Sequence, residues 1–159
     1  MSTLIHDRIR VGDKTDCAVG LCQDSGEAVV HAAKTCHRQA VGYKGNLSKD
    51  HTNYLSLEYK NDLFLNIIDP DLPLFRLEVF QLFRQFARDH YNRGDNLLLH
   101  CDQGNSRAPS LAMLFLAKEL GVIGSESYEA AVYEFLPIYP TFAPGAGIKQ
   151  FMSEHWSEL

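Results

Sequence analysis

Basic residues are in the minority in this chain: 15 Lys and Arg stand against 20 Asp and Glu, a formal net charge of −5, and no basic block stands out. Binding a long nucleic acid or an anionic membrane surface through bulk electrostatics is therefore disfavoured. Long apolar runs are also missing. None approaches the roughly 20 residues needed to cross a bilayer, and Met1 to Arg10 is polar rather than a basic leader feeding an apolar run. A soluble, cytoplasmic protein is the expectation. The four cysteines, Cys17, Cys22, Cys36 and Cys101, are few and unevenly spaced, without the paired short spacings of a structural zinc site. They read as thiols, and neither a metal nor a cofactor is expected. There is no internal repeat, low-complexity tract or linker.

The chain's 159 residues, 45% apolar, suffice for one domain over 1–159 whose core needs no disulfide or metal as a staple. Ala28 to Ala33, Tyr54 to Tyr59 and Leu63 to Ile68 are strand candidates. The last ends at Asp69-Pro70-Asp71-Leu72-Pro73, whose prolines forbid a continuing ladder. From about Leu74 to Asn92, the apolar residues Phe75, Val79, Leu82, Phe83 and Phe86 recur at helical spacing, and Gly94 is placed to end the helix. Asn96 to His100 reads as a fully buried strand because Leu97, Leu98 and Leu99 do not alternate. Ala108 to Leu120 reads as a helix, with Pro109 tolerable in its first turn and Gly121 as its stop. Further helices are expected over Glu126 to Leu136, capped by Ser125, and from Ile148 to about Trp156. The sum is an α/β domain with helices flanking a central sheet.

The sharpest local signal is His100-Cys101-Asp102-Gln103-Gly104-Asn105-Ser106-Arg107, a Cys leaving a buried strand and an Arg opening a helix six residues later. A loop wrapped this tightly points successive backbone N–H groups inward, and with the helix N-terminus they form a cradle for phosphate or a similar anion such as sulfate. Such donors favour a thiolate at Cys101, the nucleophilic form. Arg107 supplies a planar fork for two phosphoryl oxygens. His100 is best placed behind the loop as an orienting group. An alkoxide leaves poorly unless it is protonated, and the Asp loop supplies candidates for that acid. Asp69 is preferred because it directly follows the strand; Asp71 is the alternative. Parallel strands would bring this loop to the same edge as Cys101.

His100, Cys101, Gly104 and Arg107 together resemble the signature of the cysteine-dependent protein tyrosine phosphatases, and the chain length with the upstream Asp loop is similar to their compact dual-specificity branch. That resemblance covers roughly Leu63 to Leu120. It implies Cys101 as the nucleophile of a phosphocysteine intermediate, Arg107 as the phosphate clamp and Asp69 as acid and then base. A softer likeness to a small microbial and phage group of such phosphatases rests on Val30 to Lys34, Cys36-His37, Ala40 to Tyr43, His51, Tyr54-Leu55, Tyr139-Pro140 and Pro144-Gly145. The family usually has Ser or Thr directly after the Arg, where this chain has Ala108, which implies slow turnover of the intermediate. Ser106 and Ser110 are the nearby hydroxyls that are candidates to compensate, and Gln103 or Asn105 is a candidate to position the attacking water.

The expected function is hydrolysis of phosphate monoesters without metal, with a phosphorylated protein or peptide as substrate. Phosphotyrosine leads and phosphoserine or phosphothreonine follows. A phosphate-recognition module with stalled turnover is the alternative, and RNA 5′-phosphates or phosphoinositides are disfavoured because the loop carries Asp102 and no Lys. His31 with Cys36-His37 reads as a ligand cluster, a second dyad or, preferably, structural or substrate-pocket residues, there being no suitably spaced carboxylate or second Cys. Cys36 or Cys22 is a candidate partner for an oxidative disulfide with Cys101. The phenylalanine stripe reads as core, and His6, His90 and His155 as surface residues. Lys34, Arg38 and Lys44 are candidates to rim the pocket.

Overall fold

The computed structural model describes residues 1–17 and 26–159. Six strands, β1 (Thr3–His6), β2 (Ile9–Gly12), β3 (Glu27–His31), β4 (Ser56–Tyr59), β5 (Asp62–Leu65) and β6 (Asn96–His100), form one mixed sheet in the order β1-β2-β6-β3-β5-β4. The inner four, β2, β6, β3 and β5, run parallel, and β1 and β4 return antiparallel at the two edges. Both edge hairpins close on two-residue turns in which a non-glycine residue, Arg8 or Lys60, takes a φ of 56°. No glycine marks them, so the β1–β2 hairpin carries no turn signal of the usual kind and escapes a reading of the sequence.

β6 lies between β2 and β3, and Leu97, Leu98 and Leu99 are all buried because both faces of the sheet are covered there. Leu97 and Leu99 join the main core, whereas Leu98 forms a small second cluster with Val29, the alternation expected of neighbouring strand residues. Among the described residues there are five α-helices: α1 (Lys34–Val41), α2 (Leu77–Asn92), α3 (Arg107–Lys118), α4 (Tyr128–Phe135) and α5 (Ala146–His155). α3 is buried over almost its whole circumference, from Arg107 to Ala117, because it packs on β6 and β2 and is itself covered by α2 and α4. Its all-round apolar sequence matches that position.

Several boundaries and side chains depart from the sequence pattern. Leu82 in the expected core stripe is exposed, and Phe80 takes the interior place. His90 is buried rather than on the surface, because its Nδ1 lies 2.6 Å from Asp95 Oδ2 where α2 ends. The cap of α4 is Ser127, whose side chain accepts from the Ala130 N–H, and not Ser125. α1 is absent from the sequence pattern because His37 is its one fully buried residue, so it shows no apolar period. None of the helices among the described residues is long and apolar enough to cross a membrane.

Candidate active site

The C-terminal ends of the parallel strands converge on one edge of the sheet, where ligand sites of α/β folds ordinarily form. In-register pairing places Gly12, His31 and His100 side by side there. From β6 the chain runs through Cys101 to Ser106 and enters α3 at Arg107. Ser106 is the N-cap residue but makes no capping hydrogen bond with its side chain. Its hydroxyl instead accepts from the Gly145 N–H at 2.9 Å. The first-turn amides of α3 therefore keep their donors for whatever occupies the loop.

Gly104 adopts φ 73°, and a Cβ there would lie 3.1 Å from the Gly12 carbonyl and 3.3 Å from the Asp13 Cβ. No side chain fits both that backbone and that gap. The loop is held from outside as well: Tyr139 Oη donates to the Gly104 carbonyl at 2.7 Å, and the Ala143 N–H donates to the Asn105 carbonyl at 2.8 Å. The Pro- and Gly-dense segment 139–147 thus braces the phosphate-loop candidate.

A cleft of about 280 Å³ is lined by Asp69, Cys101, Asp102, Gln103, Asn105, Ser106 and Arg107. Cys101 is only 1% exposed. Arg107 is buried, with Nη1 donating to the Ile67 carbonyl at 3.2 Å, Nη2 paired with the Asp102 carboxylate, and Nε buried without a protein partner. Asp69 is held at the rim from behind. The Gly147 N–H bonds the Pro70 carbonyl at 3.1 Å, and a Cβ on Gly145 would meet Asp69 Oδ1 at 2.5 Å. Asp71 is exposed and is not among the residues lining this cleft.

His100 and Gly104 also stay out of the lining. His100 Nε2 lies 2.7 Å from His31 Nδ1, behind the loop, and burial followed by the neighbouring His31 pushes the His100 imidazole down to about 4. It is neutral at ordinary pH. His31 Nε2 in turn lies 2.8 Å from the buried Asp62 carboxylate. Of the His31, Cys36 and His37 group, His37 faces elsewhere, with Nδ1 3.1 Å from the Tyr43 hydroxyl and Nε2 2.7 Å from the Asn53 carbonyl. Burial lowers its affinity for a proton. Cys36 Sγ sits 3.9 Å from Cys17 Sγ, and burial, then Cys17, pushes the Cys36 thiol up to about 12. Cys22 lies outside the described residues.

A second cleft, of about 350 Å³, shares the strand exit around Ile67 and Ile68 and is bordered by Lys34, Tyr43, Lys49, Tyr54 and Arg76. Lys34 is therefore a rim residue of this neighbouring cleft rather than of the cysteine cleft. Arg38 lies 5.8 Å from the Tyr43 ring centroid, and Lys44 is exposed and lines neither cleft.

At the level of sequence no family model matches the chain, and no curated protein matches it. The fold does match solved structures of the phosphatase class. The human tyrosine phosphatase-like serine/threonine/tyrosine-interacting protein superposes with TM-score 0.68 at 17% identity, covering 99% of this chain and 96% of that one. A leucine-rich-repeat and phosphatase-domain protein from Entamoeba histolytica gives TM-score 0.68 at 15% identity over 99% and 92% of the two chains. The phosphatase PTPMT1, solved in complex with PI(5)P, gives 0.66 at 17% over 99% and 95%. The chain has the fold of the compact dual-specificity branch of the cysteine-dependent tyrosine phosphatases.

Proposed function

We propose that the protein hydrolyses phosphate monoesters through a phosphocysteine intermediate, with protein or peptide phosphotyrosine as the leading substrate. The reading is carried by the single cleft that Asp69, Cys101 and Arg107 share. In the first step the Cys101 thiolate attacks phosphorus, the bond from phosphorus to the ester oxygen breaks, and Asp69 gives its proton to the departing oxygen. Arg107, through Nε and the loop amides, holds the equatorial oxygens as charge redistributes. In the second step water attacks the phosphocysteine, Asp69 takes its proton, and the thiolate leaves with inorganic phosphate as product.

The near-complete burial of Cys101 favours phosphotyrosine, whose ring carries phosphorus further from the peptide backbone than a serine side chain does. The neighbouring cleft with Tyr43, Tyr54 and three basic side chains suits the flanking residues of an acidic phosphopeptide. A phosphoinositide, as bound in the PTPMT1 structure, is less suited because Asp102 adds negative charge at the Arg107 guanidinium.

A second reading, phosphate recognition with stalled turnover, is favoured by one observation. Ala108 occupies the position after the Arg, buried and without a hydroxyl, and the nearest buried hydroxyl beyond it on α3, Ser110 Oγ, has no hydrogen-bond partner. Rapid-quench kinetics with an aryl phosphate separate the two. Wild type is expected to give a phosphorylated-protein burst that C101S lacks; D69N should lose about 10²–10⁴ in rate on substrates with poor leaving groups, whereas D71N should not. A burst with negligible steady state would select the recognition module, and full activity in C101S would remove the nucleophile.

A further inference from the structure

Outside the cleft, on the same sheet edge, four side chains from separate segments converge. Cys17 follows the turn after β2, His31 ends β3, Cys36 lies in the first turn of α1, and His100 ends β6. One donor atom from each lies within 4.8 Å of every other. None of the four lines the phosphate cleft. From this constellation we propose that Cys17, His31, Cys36 and His100 bind a single zinc-class divalent cation that anchors the root of the loop carrying Cys101.

Zn–S bonds of about 2.3 Å and Zn–N bonds of about 2.0–2.1 Å in a tetrahedron set two sulfurs about 3.8 Å apart, and a sulfur and a nitrogen about 3.5 Å apart. Cys17 Sγ stands 3.9 Å from Cys36 Sγ and 3.6 Å from His31 Nδ1. The two imidazole nitrogens, His31 Nδ1 and His100 Nε2, are 2.7 Å apart and open to about 3.3 Å around a shared ion. A set of two sulfurs and two imidazoles suits zinc in preference to magnesium or calcium. Two thiolates neutralise the dication, which removes the cost of burying a net charge.

The outer contacts fit as well. His31 Nε2–H donates to Asp62 Oδ1 at 2.8 Å, so Nδ1 presents its lone pair toward the sulfur and the second imidazole. A carboxylate behind a ligating histidine fixes its tautomer in this way. His31 is also stacked on Phe64, with ring centroids 4.2 Å apart. His100 Nδ1 is buried without a hydrogen-bond partner, so hydrogen bonds within the protein do not by themselves satisfy the imidazole pair. The sequence conceals the set because its ligands come from the ends of two parallel strands, the turn after a third and a helix start instead of two short Cys pairs.

The ion ties the β2 exit and α1 to His100, the residue before Cys101. Its test is cobalt titration of the reduced, metal-stripped full chain in the C101S background, which removes the candidate nucleophile as a competing ligand. One equivalent of Co²⁺ should produce thiolate-to-cobalt charge transfer and intense tetrahedral visible bands, both abolished by equimolar Zn²⁺. C17S and C36S should each lose the charge-transfer intensity in proportion to the sulfur removed, and Asp62→Asn should weaken binding by about 10–100-fold. Should the serine variants misfold, alkylation mapped by mass spectrometry on the parent chain reads the same site, with Zn²⁺ protecting Cys17 and Cys36. Absence of tetrahedral bands, bands that survive in the C17S/C36S double variant, or a Cys17–Cys36 disulfide in protein purified under reducing conditions would overturn the site.

Discussion

Arg107 is the residue with the most competing demands. Its guanidinium is paired with Asp102 and bonded to the Ile67 carbonyl, leaving Nε without a protein partner and, on the proposed mechanism, facing a phosphoryl oxygen. A dianion entering the loop meets the Asp102 carboxylate on the same fork. The side chain of Asp102 is 43% exposed, so the pair is screened and worth about 0.5–1 kcal/mol. Asp102→Asn is accordingly expected to tighten inhibition by phosphate or tungstate about two- to fivefold, read from competitive inhibition constants. Weaker inhibition would show instead that Asp102 aims the guanidinium. At this scale the sequence was legible where chemistry is local. The spacing of His100, Cys101, Gly104 and Arg107 describes a loop closed within eight residues, and Asp69 directly follows its strand. His90 was misread because its partner, Asp95, meets it only after the chain turns at Gly94.

Among elements, β6 and α3 were the clearest in the sequence, since three successive leucines and an apolar helix both require burial on more than one side. The β1–β2 hairpin and α1 were not visible, having respectively no glycine turn and no apolar period. Charge also joins α2 to the end of α3. Just after α3, Glu119 accepts from Arg88 at 2.7 Å and from Arg84 at 2.5 Å on α2. The Arg88 hydrogen bond, with Arg84 beside it, holds the Glu119 carboxyl below its ordinary value, against the opposing effect of burial. A carboxyl depressed in the folded state adds stability that is present above the ordinary value of 4.5 and is lost as pH falls through the lower folded value. Glu119→Gln should therefore cost about 1 kcal/mol at pH 7, after solvent screening of the partly exposed Arg88 is allowed for, and progressively less in acid. Urea midpoints at pH 7 and at about pH 3 check both parts; an equal loss at both pH values would mean that packing, not charge, is responsible.

For the molecule as a whole, the site is closed by chain segments remote in sequence. Gly145 donates its N–H to Ser106 Oγ, leaves room for Asp69 Oδ1, and stands beside Gly147, whose N–H holds the Pro70 carbonyl. Gly145→Ala forces Asp69 aside. On the proposed mechanism it should lower kcat about tenfold on alkyl phosphates, with less effect on activated aryl esters and little change in KM. A loss confined to KM would place Asp69 in binding rather than proton transfer. The sequence alone determined the elements whose causes lie within a few residues: the buried strand, the loop spacing, the helix that receives it and the proline-bounded Asp turn. Only the tertiary structure decided that β5 and β6 flank β3 in parallel, so that Asp69 shares a cleft with Cys101, and that Cys17, His31, Cys36 and His100 meet. Strand order and in-register pairing join residues tens of positions apart, and a short-range pattern of apolar and polar residues holds no record of which distant strand lies next to which.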